Sequence, residues 1–276
     1  MTGDQSAYSW TEAEKDMMEG IDTTVPHSAR IWNYWLGGKD NYPVDRAAGE
    51  AFLKAYPGMA AEARANRQFL ARAIGYLVTE AGVGQFLDIG TGLPTADNTH
   101  EIAQRLNPAS RIVYVDNDPL VLAHARALLT STPEGVTDYV DADLDDPDTI
   151  LDAAAKILDF SEPIAVILSG IMGHIADDEG PHAIVSRLMD RLPSASYLML
   201  QDGTTVSQAN ADALEDYNES GAIAYHLRAP EEIVRYFDGL DVVEPGVIPI
   251  QQWRPAGAPA EPLADVNTFG GIGRKR

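Results

Sequence analysis

Residues 85–98 read QFLDIGTGLPTADN, an apolar run that ends in Asp88 and continues into Gly90 and Gly92. This Asp-x-Gly-x-Gly pattern, placed after a strand, lets a ligand lie against bare backbone at the carboxyl edge of a sheet. A dinucleotide fingerprint needs a third glycine where this chain has Thr95, and no GxxxxGK[ST] sequence occurs. The loop therefore indicates a nucleoside-containing ligand without a complete pyrophosphate cradle, which disfavours NAD, FAD and P-loop nucleotides.

Composition and charge restrict the class of protein. The chain has 276 residues, no cysteine and a formal net charge of −22 at pH 7. The length suits one α/β domain with an extension, or two small domains. The lack of cysteine excludes disulfides, thiolate zinc sites and a cysteine nucleophile, and no metal site is predicted.

The acidic surface also restricts the partners. It repels phosphate backbones and anionic lipid, so we expect no nucleic-acid partner and no membrane partner. The sequence has no apolar run long enough to span a bilayer, and its N-terminus lacks the regions of a signal peptide. A soluble, cytoplasmic protein is expected, and no oligomeric state is predicted.

From residue 84 the chain alternates short apolar runs with helical patterns, which is typical of a parallel sheet with helices on both faces. Proline at the start of three of these patterns marks the first helical residue, at positions 119, 147 and 230. After residue 240 the pattern is β-like but broken by two prolines, which predicts an antiparallel, hairpin-like close to the sheet. The predicted strands are 85–89, 111–115, 137–140, 164–168 and 197–200, with a last one within 266–273.

The N-terminal third differs from the rest. Residues 1–20 are predicted to be a flexible acidic arm. Residues 21–82 are predicted to form a helical cap over the substrate region, and residues 83–276 an α/β domain. The stretch EARANRQFLARAIGYLVTEAG at 62–82 is an amphipathic helix with one apolar face and a stop at Gly82.

Carboxylates follow the next two predicted strands. Asp116 ends the second strand, where its two oxygens can accept both hydroxyls of a ribose, and Asn117 beside it is predicted to contact the same ligand. Alternatively, Asp116 or Asp118 only caps the following helix. We assign the cap to Asp118 and the ribose to Asp116.

The loop after the third strand, DYVDADLDDP at 138–147, contains Asp143 and Leu144. Asp143 can accept a hydrogen bond from an exocyclic amine such as that of adenine, with the Leu144 backbone close to the ring. A solvated acid is the alternative. Because parallel strands end at one edge of a sheet, Asp88, Asp116 and Asp143 are predicted to line a single crevice.

The fourth strand ends in small residues, Ser169 and Gly170, which leave room for a ligand and its reacting group. His174 follows and could act as a general base for an acceptor hydroxyl. The alternative is a packed, hydrogen-bonded histidine without a catalytic role.

The order of these motifs resembles that of class I S-adenosylmethionine-dependent methyltransferases. The resemblance is closest to the actinobacterial S-adenosyl methyltransferase family, whose substrates are largely unassigned. It runs from about residue 24 to the C-terminus, and one departure from the general class is the missing third glycine of the first loop. The stretches that carry it are SARIWNYWLGGKDNYPVDR, NRQFLARA, QFLDIGTGLPT, VYVDNDP and GGIGRK.

The resemblance implies a doubly wound, Rossmann-like sheet, mostly parallel with an antiparallel strand near the C-terminus, and a helical N-terminal cap. It implies that residues 83–276 bind S-adenosylmethionine and that the product is S-adenosylhomocysteine. This cofactor has no phosphate, a ribose for Asp116, an adenine for Asp143, and a positive charge that favours an acid near Asp88. The methyl group would pass in line to a small-molecule acceptor held close and aligned.

The cap supplies further candidates. Arg30, Asn33 or Tyr34 would contact or cover the cofactor's carboxylate, and Arg67 is a second candidate. The alternatives are a helix that only packs through its Ile and Trp residues, and a solvent-facing Arg67. The full set of predicted cofactor contacts is Asp88, Gly90, Thr91, Gly92, Asp116, Asn117, Asp143, Leu144, Ser169, Gly170, Arg30, Asn33, Tyr34 and Arg67.

Two other functions are compatible with these residues. The first is a regulatory protein that binds S-adenosylmethionine or S-adenosylhomocysteine without turnover, since no catalytic base is fixed by the sequence. The second, weaker one is an NAD-dependent oxidoreductase. The acceptor and the atom that is methylated are not predicted.

Overall fold

A computed structural model describes residues 21–95, 97–128, 130–255 and 266–276. The acidic arm predicted at residues 1–20 lies outside these residues. The strands are β1 (Gln85–Ile89), β2 (Arg111–Asp116), β3 (Val136–Asp141), β4 (Ala165–Ser169), β5 (Tyr197–Gly203), β6 (Leu240–Val242), β7 (Ile248–Pro249) and β8 (Thr268–Lys275). The helices are α1 (Ser28–Trp35), α2 (Pro43–Ala55), α3 (Met59–Thr79), α4 (Thr99–Leu106), α5 (Pro119–Leu128), α6 (Pro147–Ala154), α7 (Pro181–Asp190), α8 (Gln208–Asn218) and α9 (Pro230–Arg235).

The strands form one mixed sheet in the order β3-β2-β1-β4-β5-β8-β6, and β7 also pairs with β8. Strands β1 to β5 are parallel, whereas β8 runs antiparallel to β5, β6 and β7. The doubly wound, mostly parallel sheet with an antiparallel close is therefore confirmed. Its order reverses between β1 and β4, and such a switch point opens a crevice at the carboxyl ends of the strands.

The sheet is apolar on both faces because helices cover both. Every residue of β1 is buried, as are the first four of β4, which is why these strands read as continuous apolar runs. On one face the core includes residues of α6, α7 and α9, and on the other it includes residues of α3 and α4. The two layers hold the strand ends in place while their loops stay free to carry polar residues.

The three helices predicted to begin at proline do so, and α2 and α7 also begin at proline. Pro119, Pro147 and Pro230 are the first residues of α5, α6 and α9. The Asp146 carboxylate accepts the N–H of Thr149 and caps α6. Proline suits this position because its fixed φ matches the helix and its missing N–H would have had no partner there.

The N-terminal helices divide into two groups. Helices α1 and α2 pack together over α8, in an apolar cluster that includes Ile31, Phe52 and Tyr217. Helix α3 instead packs on the sheet, where Phe69 and Ile74 join the core. The predicted helical cap is thus divided, with α1 and α2 in the cluster with α8 and α3 in the core of the sheet. The predicted boundary between residues 82 and 83 stays a prediction.

The segment after residue 240 behaves as its prolines indicate. Strand β6 is three residues long and β7 is two residues long. Both pair with β8, which is the longest strand of the antiparallel part. Within the described part of the chain, none of the helices combines the length and apolar character that a bilayer span requires.

Replacing Ile74 tests the packing of α3 on the sheet. Ile74 is fully buried, so Ile74→Ala should lower the free energy of unfolding by about 2–5 kcal/mol. The matched control is Gly75→Ala on the same helix, where an added Cβ would have no described atom within 4 Å apart from the adjacent backbone of the helix. That change should raise stability by about 1 kcal/mol, because alanine favours helix over glycine. Urea unfolding of both variants measures the difference, and a neutral Ile74→Ala would contradict the assigned packing.

Candidate functional site

A crevice of about 300 Å³ opens at the carboxyl ends of the parallel strands. We call it the edge crevice. A second cavity adjoins it, shares Gly90, Gly92 and Ser169 with it, and contains Asp88, Thr91, Asn33 and Arg67. The predicted residues that line the edge crevice itself are Gly90, Gly92, Asp116, Asn117, Asp143, Leu144, Ser169, Gly170 and His174.

The glycine loop after β1 needs glycine at two positions. Gly90 and Gly92 have φ values of +71° and +62°, in the left-handed region that disfavours other residues. An added Cβ on Gly90 would also come within 2.6 Å of the Ile171 side chain. The Gly90 N–H donates to the carbonyl oxygen of Val115 at 2.8 Å, which ties the loop to β2. The loop thus brings backbone, rather than side chains, to the crevice wall.

Asp116 joins that loop to the end of β2. Its Oδ2 accepts the N–H of Gly92 at 2.9 Å, and its Oδ1 accepts the N–H of Asp118 at 3.0 Å. Burial raises the pKa of Asp116, and these two N–H groups oppose that rise. A carboxylate has about four acceptor positions, so lone pairs remain for a ligand's hydroxyl groups.

Asp118 has a separate task. Its Oδ1 accepts the N–H of Leu120 at 2.8 Å in the first turn of α5, and its Oδ2 lies 3.1 Å from Nδ1 of His27. Asp118 is buried and does not line the edge crevice, whereas Asp116 does. The geometry is that of a helix cap at Asp118 beside a crevice carboxylate at Asp116.

Asp143 and Asn117 form the far wall of the crevice. The side-chain amide of Asn117 donates to Oδ2 of Asp143 at 2.8 Å, which links the loops after β2 and β3. Leu144 is buried beside them and offers an apolar surface. A polar rim over an apolar floor suits a flat heterocycle with an exocyclic amine.

Asp88 lies deeper, in the adjoining cavity. The hydroxyl of Thr99 donates to its Oδ2 at 2.5 Å. Burial raises the pKa of Asp88 to about 6, while the Thr99 hydrogen bond and the nearby Arg67 lower it. The Arg67 guanidinium lies in the same cavity and donates to the carbonyl oxygen of Asp97 at 2.7 Å. Arg67 therefore faces the glycine loop.

Two of the predicted cofactor contacts lie elsewhere. Arg30 is buried and its Nε donates to Asp45, while its NH2 group donates to the Val25 carbonyl oxygen at 2.6 Å. Tyr34 points to Glu50, with 3.3 Å between its hydroxyl and Oε1. Neither residue lines the edge crevice or the adjoining cavity. Arg30 is held away because a buried guanidinium requires a buried carboxylate beside it, and Asp45 fills that need.

Asn33, on the same helix, does line the adjoining cavity. Its Oδ1 accepts the N–H of Asp40 at 3.0 Å and the side-chain amide of Asn41 at 2.8 Å. An added Cβ on Gly38 would collide with the Asn33 side chain. The Gly-Gly pair after α1 therefore lets the chain fold back over Asn33.

His174 lies where the edge crevice ends. Its Nδ1 is 2.9 Å from the carbonyl oxygen of Ala224. A carbonyl can only accept, so we assign the proton to Nδ1 and a free lone pair to Nε2. Burial lowers the pKa of His174, which keeps the ring neutral near pH 7. A neutral imidazole with an open acceptor nitrogen can take up a proton.

A further cavity lies beyond Gly170 and His174, and the sequence reasoning missed it. We call it the aromatic cavity. It meets the edge crevice at Ser28, Trp32, Gly170 and His174. Its aromatic lining comes from α1, α2, α8 and the segment after α8, namely Trp32, Trp35, Phe52, Tyr217 and Tyr225.

The floor of the aromatic cavity contains a buried carboxylate, Glu62. Its Oε1 accepts the N–H of Asn267 at 3.0 Å and the hydroxyl of Thr268 at 2.7 Å. Its Oε2 accepts the hydroxyl of Tyr56 at 3.0 Å. Each oxygen is thus paired, and the network joins α3 to β8. The signal missed in the sequence was an acid, Glu62, on the mostly apolar, buried side of α3.

The comparison with known proteins decides the family. Residues 14–276 match the S-adenosyl methyltransferase family. The chain belongs to this family. The family resemblance drawn from the sequence, the cofactor S-adenosylmethionine and the enzyme class are thereby confirmed, and the protein is an S-adenosylmethionine-dependent methyltransferase. The regulatory and oxidoreductase alternatives gain no support from the match.

Two solved structures are similar over nearly their whole length. A protein of the DUF574 family from Streptomyces avermitilis is 43% identical, with 92% of this chain and 99% of that chain covered and a TM-score of 0.89. A proposed methyltransferase from Thermobifida fusca is 39% identical, with 93% and 97% covered and a TM-score of 0.85. No curated protein matches the chain.

The described residues of the crevice fit this family's cofactor. Side chains at Gly90 and Gly92 would be strained, and one at Gly90 would also collide with Ile171, so a ligand there can lie against the backbone. Asp116 retains lone pairs for ribose hydroxyls, and Asp143 lies beside the apolar Leu144. Asp88 would face the cofactor's amino group from the adjoining cavity.

Asp116→Ala tests the ribose assignment. Loss of the carboxylate leaves ligand hydroxyls and the Gly92 N–H without an acceptor, so binding of S-adenosylhomocysteine should weaken by about 1–3 kcal/mol. Calorimetry measures the change. The matched control is Asp141→Ala, an exposed carboxylate on the next strand that does not line the crevice. Equal affinity in the Asp116 and Asp141 variants would remove Asp116 from the site.

Asp88 predicts a pH dependence of stability. Its pKa is raised from 3.8 to about 6 in the folded protein, so its stabilising contribution is complete below pH 3.8 and is lost as pH rises through about 6. At about 1.4 kcal/mol per pKa unit, the stability of the unmodified protein relative to Asp88→Asn should fall by roughly 3 kcal/mol between pH 4 and 7. Urea unfolding across that range, with Asp141→Asn as control, measures this. Parallel curves for the protein and Asp88→Asn would contradict it.

Proposed function

We propose that the protein methylates a small molecule bound in the aromatic cavity, with the cofactor held in the edge crevice. The supporting observation is that the two spaces share the walls formed by Trp32, Gly170 and His174. A donor in one space and an acceptor in the other would then meet at Gly170. Transfer requires this contact, because alignment of donor and acceptor supplies much of the rate.

The chemistry of the aromatic cavity favours a flat or apolar acceptor. The ring centroids of Trp32 and Trp35 are 5.4 Å apart in an edge-to-face contact, and those of Trp35 and Phe52 are 5.1 Å apart. Phe52 also contacts Tyr217, with 6.2 Å between centroids. Linked rings of this kind form rigid walls that bind aromatic and aliphatic ligands well.

The surroundings of the cavity favour a small molecule over a polymer. Its walls come from α1, α2, α3 and α8, and from the segment after α8, so they surround the space on several sides. The net charge of −22 opposes binding of a nucleic acid. The absence of a nucleic-acid partner, the cytoplasmic location and the division at residue 82 stay predictions from the sequence.

Gly170 and His174 perform three tasks where the edge crevice meets the aromatic cavity. Gly170 has a φ of +72°, and apart from its chain neighbours the Trp32 ring is the only described group within 4 Å of the place a Cβ would occupy, so the reacting groups have room. The N–H of Gly170 donates to the Gln201 carbonyl oxygen at 2.8 Å and fixes the turn. His174 would accept the proton of the acceptor's hydroxyl or amine at Nε2. S-adenosylmethionine supplies an activated methyl group when bound.

Transfer of a labelled methyl group tests this function. The protein is incubated with labelled S-adenosylmethionine and a panel of phenols, aryl amines and indoles, and labelled product is detected by mass spectrometry. Labelling of at least one class is expected. S-adenosylhomocysteine binding without labelling of any acceptor would contradict transfer to such molecules and favour the regulatory alternative.

His174→Gln tests the proton acceptor with any molecule that becomes labelled. The rate constant kcat should fall by about 10²–10⁴-fold, the usual contribution of a general base, while cofactor affinity stays the same. His182→Gln is the matched control, since His182 lies on α7 outside the edge crevice and the aromatic cavity. An equal kcat in both variants would show that His174 takes no proton.

A further inference from the structure

Tyr225 and Asp202 form a buried pair beside the aromatic cavity. Asp202 is 2% exposed at the end of β5, and the hydroxyl of Tyr225 donates to its Oδ1. The ring of Tyr225 lines the cavity together with Gly203. No prediction from the sequence included either residue, and the proposed function assigns neither of them a task.

The backbone is shaped to receive the Tyr225 ring. An added Cβ on Gly173 would lie 2.3 Å from Cζ of Tyr225, and one on Gly203 would lie 3.4 Å from its Cε1. The side chain of Asn218 holds the backbone of Tyr225 from both sides: its Oδ1 accepts the Tyr225 N–H at 2.9 Å, and its Nδ2 donates to the Tyr225 carbonyl oxygen at 3.0 Å. The ring is thus fixed in place by residues from three segments.

The charge of Asp202 decides the direction of the hydrogen bond. Its Oδ2 accepts the N–H of Gly173 at 3.0 Å, and its Oδ1 accepts that of Gly203 at 2.9 Å. Burial raises the pKa of Asp202 to about 7, and Arg228 and the N–H donors oppose that rise. Above that pH the carboxylate can only accept, so the Tyr225 proton points at Asp202.

Arg228 and His174 lie beside the pair formed by Tyr225 and Asp202. Arg228 is buried and its guanidinium is bound to the carbonyl oxygens of Met172 and Ile175 and to the carboxylate of Asp177. The rings of His174 and Tyr225 meet at a near-right angle, with 5.0 Å between their centroids. Tyr225 therefore packs on His174, which also lines the edge crevice.

We propose that Tyr225, with its proton held by Asp202, presents only oxygen lone pairs to the aromatic cavity and so selects acceptors that carry a hydrogen-bond donor. The Tyr225 oxygen accepts the Gly203 N–H at 3.3 Å, which leaves acceptor capacity for a ligand. The acceptor is then an aromatic molecule with a hydroxyl or N–H group. This inference rests on the proposed function, because it names the substrate class of the same cavity.

The inference also assigns separate tasks to the two neighbouring side chains. Before transfer, Tyr225 accepts the hydrogen bond of the acceptor's donor group, and Asp202 is a positioning residue that orients the Tyr225 hydroxyl. As the methyl group bonds to that oxygen or nitrogen, its proton leaves Tyr225 and passes to Nε2 of His174. A methylated oxygen or nitrogen has one hydrogen fewer to donate. A product methylated at its only donor group would therefore lose the hydrogen bond to Tyr225.

Matched fragment pairs test the inference without the natural acceptor. Phenol and anisole, and indole and N-methylindole, differ by one hydrogen-bond donor. Their dissociation constants are measured by ligand-detected NMR at about pH 8.5, above the pKa of Asp202, with and without S-adenosylhomocysteine. Phenol and indole, which carry the hydrogen-bond donor, should bind about 3- to 10-fold more tightly than anisole and N-methylindole, the usual range for one hydrogen bond. Tyr225→Phe should abolish that preference and leave S-adenosylhomocysteine affinity unchanged.

Tyr236→Phe is the matched control, because the Tyr236 hydroxyl is buried without a hydrogen-bond partner in the described residues and does not line the aromatic cavity. This variant should keep the preference for the fragment that carries the donor.

The inference is overturned if the preference persists in Tyr225→Phe. It is also overturned if the unmodified protein binds neither fragment of a pair, or binds both equally well. Failure of S-adenosylhomocysteine to bind would contradict the proposed function instead. The fragment dissociation constants measured without S-adenosylhomocysteine would still test the inference. Should Tyr225→Phe not fold, a crystal structure with indole decides: an N–H at hydrogen-bond distance from the Tyr225 oxygen supports the inference, and an N–H elsewhere contradicts it.

Discussion

The approach of the Gly90 backbone to the loop after β4 is the constraint on which the site depends. Gly90 donates its N–H to the carbonyl oxygen of Val115 on β2, and a Cβ on Gly90 would collide with the side chain of Ile171, which follows β4. Three strands of the sheet are thereby joined at one residue that cannot carry a side chain. The positions of Asp116 and Gly170 relative to each other follow from this junction, because Asp116 directly follows Val115 and Gly170 directly precedes Ile171.

The donor half of the site could be predicted from the sequence because it follows from strand order alone. Strands that are parallel and adjacent end at one edge, so an acid at each end comes to the same crevice without knowledge of any distant contact. Asp116 and Asp143 were placed in this way, and Asp118 was separated from them by the proline that follows it. The short apolar runs and helix starts were sufficient for that part of the fold.

The acceptor half could not be predicted in the same way. Its walls come from segments as far apart as Phe52 and Tyr225, and nothing local marks which aromatic residues turn inwards. Arg30 shows the reverse case. A guanidinium near a glycine-rich segment suggests a ligand contact. Its partner Asp45, however, lies 15 residues further along the chain and comes next to Arg30 only when α1 and α2 pack together. Contacts between residues so far apart in the sequence produce no periodic pattern from which they could be predicted.

The Glu62 network couples the aromatic cavity to the strand β8, which lies far from Glu62 in the sequence. The carboxylate that shapes the floor of the aromatic cavity obtains two of its donors from Asn267 and Thr268, more than 200 positions later, as the 205-residue separation from Asn267 shows. Without β8 in place, Glu62 would be a buried carboxylate that lacks two of its hydrogen-bond donors, and leaving such a group unpaired costs free energy. The wall of the aromatic cavity at Glu62 therefore depends on the antiparallel pairing of β8 with β5, although neither of these strands belongs to the cap.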